Sequence, residues 1–168
     1  MGYQNLITKE QLRDKILNNE DITGIDYSHI SDMSYMFYGC SNLKEVPKLD
    51  TSRVTDMDYM FSGCTSLKEV PKSDTSRIKS MYCMFSGCTS LVKVPKFNTL
   101  KVKDMRYMFS GCTSLVKVPK FNTLKVKDMR YMFSGCSSLE EVPENFPSYD
   151  WSNTGSEILK ENYPELFI

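Results

Sequence analysis

The sequence predicts an α/β solenoid of five stacked strand-helix units, each 24 residues long, closed by a helical cap at either end. Two observations carry this reading. Cys40, Cys64, Cys88, Cys112 and Cys136 stand 24 residues apart without a slip, each inside the phrase Met-Phe-(Ser/Tyr)-Gly-Cys-(Thr/Ser)-(Ser/Asn)-Leu. A fixed period in the twenties marks units that each bury one face against the next. The 29 residues from Met84 to Cys112 are also identical to those from Met108 to Cys136. A unique active site cannot lie in a duplicated stretch, so function is expected on a repeated surface.

Length and composition fit one soluble domain. The chain has 168 residues, 40% of them hydrophobic and 25% charged, enough to build a core and too apolar for a disordered chain. The boundaries read as an N-terminal helical cap over 1–25, the solenoid over 26–144 and a C-terminal cap over 145–168. The start, Met1 to Leu6, has neither the basic head nor the apolar stretch of a secretory signal, and Leu6 stands where a myristoylation signal has Ser or Thr. No apolar run approaches the length of a membrane-spanning helix. The chain as given is therefore expected to be cytoplasmic unless it is a trimmed piece of an exported protein.

The N-terminal cap is predicted from Thr8-Lys9-Glu10-Gln11, which has the form of a capping box, followed by Leu12, Ile16 and Leu17 at helical spacing. Within one repeat, Val54, Met57, Met60, Phe61 and Cys64 recur at intervals of three and four and predict the inward face of a short helix. Asp50, Thr51 and Ser52 precede it as capping residues, and Gly63 follows where a left-handed residue closes the last turn. Leu67-Lys68-Glu69-Val70 then reads as a short extended rung, ended by Pro71. Equivalent residues should form columns, with the strands in a narrow parallel sheet and the helices opposite. After Val142 the cadence breaks. Ser152 to Ser156 reads as a loop, and Ile158, Leu159, Tyr163, Leu166 and Phe167 as a closing helix interrupted at Pro164 and anchored by Trp151.

The phrase Met60-Phe61-Ser62-Gly63-Cys64-Thr65-Ser66-Leu67-Lys68-Glu69-Val70, preceded by Thr51-Ser52-Arg53-Val54-Thr55-Asp56-Met57, resembles the repeat of the BspA-like leucine-rich family of bacterial surface proteins. The likeness spans roughly residues 26–144. It implies a right-handed leucine-rich-repeat-like solenoid, and a cell-surface or secreted protein that binds host components if the chain is a fragment.

Formal neutrality hides an asymmetry. Residues 89–136 carry eight Lys and two Arg against Asp104 and Asp128, whereas residues 137–168 carry seven acids and one Lys. A basic block of this kind attracts acidic partners or phosphates, and it also serves simply to keep repeat surfaces soluble. Two columns qualify as a binding surface. The first comprises Lys48, Lys72, Lys96 and Lys120 after each proline, with Lys68, Lys93 and Lys117 inside the rungs. Its side chains should line up about 4.8 Å apart. The second is Tyr35, Tyr59, Tyr107 and Tyr131 on the helical side, a candidate interface because tyrosine is enriched there, with packing between repeats as the alternative.

Catalytic chemistry has little support. His29, the sole histidine, aligns with Arg53, Arg77, Lys101 and Lys125, a column of solvated cations. No phosphate-binding glycine loop and no pair of closely spaced cysteines occurs, so neither a cofactor nor a metal is expected. The periodic cysteines read as small buried apolar residues. Cys83 sits in the tyrosine column and is expected to be the exposed thiol. Asp32, Asp56, Asp104 and Asp128 read as favourable charges near a helix N-terminus. The sequence thus predicts a noncatalytic protein-interaction module, monomeric or weakly self-associating. A polyanion binder acting through 89–136 and a structural or assembly protein are the alternatives.

Overall fold

The structure is a computed structural model that describes residues 6–143 and 156–162. The expected roles of Trp151, Tyr163, Pro164, Leu166 and Phe167, the loop before Ser156, and the side chains of Ile158 and Leu159 fall outside the described residues.

Helix α1, Lys9–Leu17, opens with the predicted capping box: the Thr8 hydroxyl accepts from the Gln11 amide at 3.1 Å and Gln11 Oε1 accepts from the Thr8 amide at 2.9 Å. Leu12 and Ile16 are buried against the first repeat. Lys9 Nζ donates to the Ser34 carbonyl at 2.9 Å and Arg13 Nη2 approaches Cys40 Sγ at 3.6 Å, so polar contacts fix α1 over the open end of the stack. At the other end lies α2, Glu157–Asn162. Ser156, buried just before it, donates its hydroxyl to the carbonyl of Leu139 in the last rung.

The repeats stack as predicted but not as strand-helix units. Among described residues 26–143 there is no α-helix, and the pairing between repeats registers as isolated parallel bridges such as Asp32↔Asp56 and Asp104↔Asp128. The cause is visible in the amides of one segment. Those of Tyr35, Phe37 and Gly39 donate across to the carbonyls of Asp58, Met60 and Ser62 in the next repeat, at 2.8 to 2.9 Å. Those of Met36, Tyr38 and Cys40 donate locally, three residues back. With alternate amides committed to the neighbour, the four-residue ladder of an α-helix cannot close. Instead the chain winds through successive tight turns. Tyr35, Tyr59, Cys83, Tyr107 and Tyr131 adopt φ of 52° to 59° to make the winding possible. The turn closes at glycine with φ of 70° to 77°. A Cβ on Gly63 would stand 3.4 Å from the Gly39 backbone, so both the angle and the close stacking call for glycine.

The core columns form as read. Val54, Met57, Met60, Phe61, Cys64 and Leu67 are all buried. Phe37, Phe61, Phe85, Phe109 and Phe133 stack with centroids 5.4 to 5.8 Å apart and ring planes within 10° of parallel, near the offset-stacked spacing that aromatic pairs favour. Each buried thiol of the 24-residue column donates to the phenylalanine carbonyl of the preceding repeat: Cys64 to Phe37, Cys88 to Phe61, Cys112 to Phe85 and Cys136 to Phe109, at 3.0 to 3.1 Å. The rung is sparse, the Val92 amide donating to Lys68, Val116 to Val92 and Glu140 to Val116.

A second polar column was not anticipated. Thr51, Thr75 and Thr99 are buried, and their hydroxyls donate to the carbonyls of Asp74, Asn98 and Asn122 in the next repeat. Tyr27 occupies this column in the first repeat, where its hydroxyl accepts from the Asp50 amide at 2.9 Å. The carboxylates expected at helix N-termini instead close Asx turns. Asp32 accepts from the Ser34 amide, Asp56 from Asp58, Asp104 from Arg106 and Asp128 from Arg130.

Candidate binding surface

The tyrosine column forms a continuous aromatic ribbon. Tyr35 stacks on Tyr59 at 4.6 Å and Tyr107 on Tyr131 at 4.9 Å, with Tyr38 edge-on to both Tyr35 and Tyr59. Between the two pairs stands Cys83, too small to continue the stack. The gap is spanned by its neighbour Tyr82, whose ring lies edge-on to Tyr59 at 5.1 Å and to Tyr107 at 6.1 Å. Tyr82 comes from the column held elsewhere by Ser34, Asp58, Arg106 and Arg130. The guanidinium of Arg106 sits 4.9 Å over its ring and is itself held by a bidentate pair with Asp104, Nε donating to Oδ1 and Nη2 to Oδ2. Tyr82 also raises the pKa of the Tyr59 phenol through a hydrogen bond, with desolvation adding to it.

This arrangement corrects the expectation for Cys83. The thiol is 7% exposed rather than open, because the residue is not on the outer face of a helix and Tyr82 crosses beside it. Burial raises its pKa. Burial likewise pushes the Cys64 and Cys136 thiols up to about 12 and raises Cys112 well above its ordinary value. Among the periodic cysteines Cys40 alone is partly exposed, because no earlier repeat covers it.

The ribbon is open to solvent at its ends, where Tyr35 is 54% and Tyr131 41% exposed, while Tyr59 and Tyr107 are half-buried between neighbours. The column is thus both inter-repeat packing and accessible aromatic surface.

The lysine columns lie at the surface. Lys48, Lys72, Lys96, Lys120, Lys68, Lys93 and Lys117 are all exposed. Lys68 and Lys93, with Lys44, Glu45, Glu69 and Val92, line an open depression of about 690 Å³ beside the rungs. Its charge is partly internally balanced, since Lys93 pairs with Glu69 at 2.9 Å. His29 is exposed, with Nε2 3.0 Å from the Ile7 carbonyl oxygen. Among the described residues no three His, Cys, Asp or Glu side chains converge as a metal site would require, and no helix is long and apolar enough to cross a membrane.

Comparison with known proteins places the fold. A leucine-rich-repeat protein from Eubacterium ventriosum superposes with a TM-score of 0.51 at 25% identity, over 71% of this chain and 30% of its own length. The leucine-rich-repeat protein of T. pallidum does so with a TM-score of 0.52 at 27% identity, over 73% of this chain and 54% of its own. The chain therefore spans about half or less of these structures. No curated protein matches it. The family model described as Mycoplasma protein of unknown function, DUF285, matches residues 8–115 and 63–157. With its five in-phase repeats and stacked Leu, Phe and Cys columns, the chain belongs to this Mycoplasma repeat family and is a bacterial leucine-rich-repeat protein of the BspA-like kind.

Proposed function

We propose that the chain is a noncatalytic protein-interaction module whose tyrosine ribbon forms the centre of the contact. The observation that carries this reading is the backbone at Tyr35, Tyr59, Tyr107 and Tyr131. Each holds a bulky side chain at φ of 56° to 59°, a region that disfavours residues with a Cβ by roughly 1 to 2 kcal/mol and that Gly or Asn enters more readily. Strain of this sort, repeated at successive turns, is retained where the side chain has a task. Tyrosine and arginine are the residue types that protein interfaces enrich, and lysine is depleted from them. The ribbon supplies the first two, with Arg106 and Arg130 alongside it. The leucine-rich-repeat relatives support an interaction role.

The test exploits the same backbone. Tyr35→Asn, Tyr107→Asn and Tyr131→Asn relieve strain and leave the core untouched, so the triple variant should fold at least as well as the parent while losing capture of its protein partner from host extract or from the producing cell. Reversing Lys48, Lys68, Lys93 and Lys117 to Glu, on the rung face, should leave capture intact at physiological salt. Loss from the lysine set with retention in the tyrosine set would transfer the site to the rung face.

A further inference from the structure

The edge of the solenoid formed by the turns at Leu100 and Leu124 carries a feature that protein binding through the tyrosines does not use. Leu100 and Leu124 stand at the tips of successive turns, 54% and 89% exposed. They are held there by Asx turns, the Leu100 amide donating to Asn98 Oδ1 at 3.2 Å and the Leu124 amide to Asn122 Oδ1 at 3.1 Å. The fold does not ask for leucine at this place, because the same position holds Ser52 and Ser76 in earlier repeats. We propose that this edge docks on an anionic lipid surface, the two leucines entering the boundary between headgroups and acyl chains and the flanking lysines meeting the headgroup phosphates.

The charge around the leucines is one-signed. Lys101 and Lys103 flank the buried Val102 and point to solvent, and Lys125 and Lys127 repeat them one step along. Among the described residues none of these four has a carboxylate within ion-pair distance. The turn acids of earlier repeats, Asp50 and Asp74, are replaced here by Asn98 and Asn122. On the other flank of Leu100 an open depression of about 420 Å³ is lined by Lys72, Lys96, Phe97, Asn98 and Asn122, whose cations and side-chain amides suit a phosphodiester headgroup. Equivalent positions lie about 4.8 Å apart, one ladder step, so both leucines reach the same plane.

An apolar tip ringed by lysine is the composition of interfacial membrane contacts, where apolar insertion and attraction to anionic lipid act together. A single-stranded nucleic acid would call for an aromatic side chain on which bases stack. The exposed aromatics lie instead on the tyrosine ribbon, and a leucine gains nothing from a solvated phosphate backbone.

Co-sedimentation with vesicles tests the proposal. The protein should bind vesicles of phosphatidylcholine containing about 30 mol% phosphatidylglycerol at least tenfold better than phosphatidylcholine alone, and more weakly as salt rises. Leu100→Ser with Leu124→Ser, which copies Ser52 and Ser76 and so keeps the fold, should lower vesicle binding about tenfold or more. Lys101→Glu with Lys125→Glu should abolish it. Soluble glycerophosphoglycerol should not compete, and Tyr35→Asn with Tyr131→Asn should leave vesicle binding unchanged, which separates this site from the tyrosine ribbon. Equal binding to neutral and anionic vesicles, or full binding by the double-leucine variant, overturns the proposal. Tight binding to single-stranded RNA or heparin, undiminished by the leucine substitutions and without vesicle binding, would make the edge a polyanion site instead.

Discussion

The hydroxyl of Thr99 bonds twice to a single residue of the next repeat, donating to the Asn122 carbonyl at 2.8 Å and accepting from the Asn122 amide at 2.8 Å. Thr75 does the same to Asn98, at 3.1 and 2.7 Å. The pair satisfies a donor and an acceptor that the stacked turns otherwise bury, in a place where no strand ladder reaches them.

Replacing Thr99 by Val therefore keeps volume and β-branching but leaves the Asn122 N–H and C=O without partners. The expected loss is about 1 to 3 kcal/mol. Thr99→Ser, which keeps the hydroxyl, should lose much less. Urea melts of the two variants decide: similar stabilities would show that the hydroxyl contributes nothing beyond packing.

Thiol reactivity should follow the structure and not the position of Cys83 in the tyrosine column. Cys40 is the partly exposed thiol, and burial raises the pKa of Cys83 and of the four buried column cysteines, which suppresses the reactive thiolate. Brief iodoacetamide treatment of the native protein should label Cys40 first. Peptide mapping that finds Cys83 labelled ahead of Cys40 would contradict the placement of Tyr82.

The packing has one identifiable fault. The core column Leu49, Ser73, Phe97, Phe121 has a small polar residue in the second repeat, and beside Ser73 lies a cavity of about 20 Å³ bounded by Leu49, Met60, Phe61, Met84 and Phe97. Ser73→Leu fills it with apolar volume and should raise stability by about 1 kcal/mol. A destabilised variant would mean that the void is too narrow to take a side chain without strain.

How far the fold could be read in advance depended on which level was asked. The columns were legible because stacking forces each buried position to recur, and Val54, Met57, Met60, Phe61 and Cys64 are buried as their spacing required. The helix was not legible as absent. A chain of three-residue turns presents inward residues at the same intervals of three and four as a helix does, and what separates the two is where alternate amides such as those of Tyr35 and Phe37 go, which is a property of the stack. The burial of Cys83 follows from that, since the outer face expected for the tyrosine column belongs to a helix that does not form. Thr51 was legible as a polar residue that accepts from backbone, yet its partner lies 23 residues away in the next repeat, beyond any local capping rule. The lysines of the columns are exposed, whereas Tyr59 and Tyr107 are half-buried between neighbours. The continuity of the tyrosine column was not legible, because the Tyr82 bridge depends on two adjacent residues exchanging roles in one repeat.

Titration should touch the ribbon's border. Asp58 is half-buried, and desolvation is the main cause raising its carboxyl pKa, against hydrogen bonds from Ser80 and from the Tyr82 amide. A folded-state pKa above the unfolded one means that the native state binds the proton more tightly, so this group's contribution falls as pH rises through the folded value. Asp58→Asn keeps an oxygen for the Tyr82 amide and removes the charge. Its melting temperature should exceed the parent's at pH 7, and the difference should vanish below the unfolded pKa of the carboxyl. The Asx carboxylates Asp50 and Asp74 run the opposite way, lowered chiefly by the backbone amides of Ser52 and Ser76. Their stabilisation is present above the unfolded value and fades as pH falls through the folded one, so Asp50→Asn with Asp74→Asn should flatten the acid limb of the stability profile.

Deleting residues 113–136 removes one of the two identical copies and rejoins Cys112 to Ser137 in register, so every remaining column keeps its neighbours. In a nearly one-dimensional stack, stability is close to a sum of repeat and interface contributions. The shortened protein should therefore unfold cooperatively at lower urea with a reduced m-value, because less surface is exposed on unfolding. Phe109→Ala leaves the chain length and the m-value alone but opens a void in the phenylalanine stack between Phe85 and Phe133, at a cost of about 3 to 5 kcal/mol. The two lesions are thus distinguishable by slope as well as by midpoint. A deletion that prevents folding altogether, beside a Phe109→Ala variant that folds, would show that the repeats are not interchangeable units and that the stack depends on its full length to hold both caps.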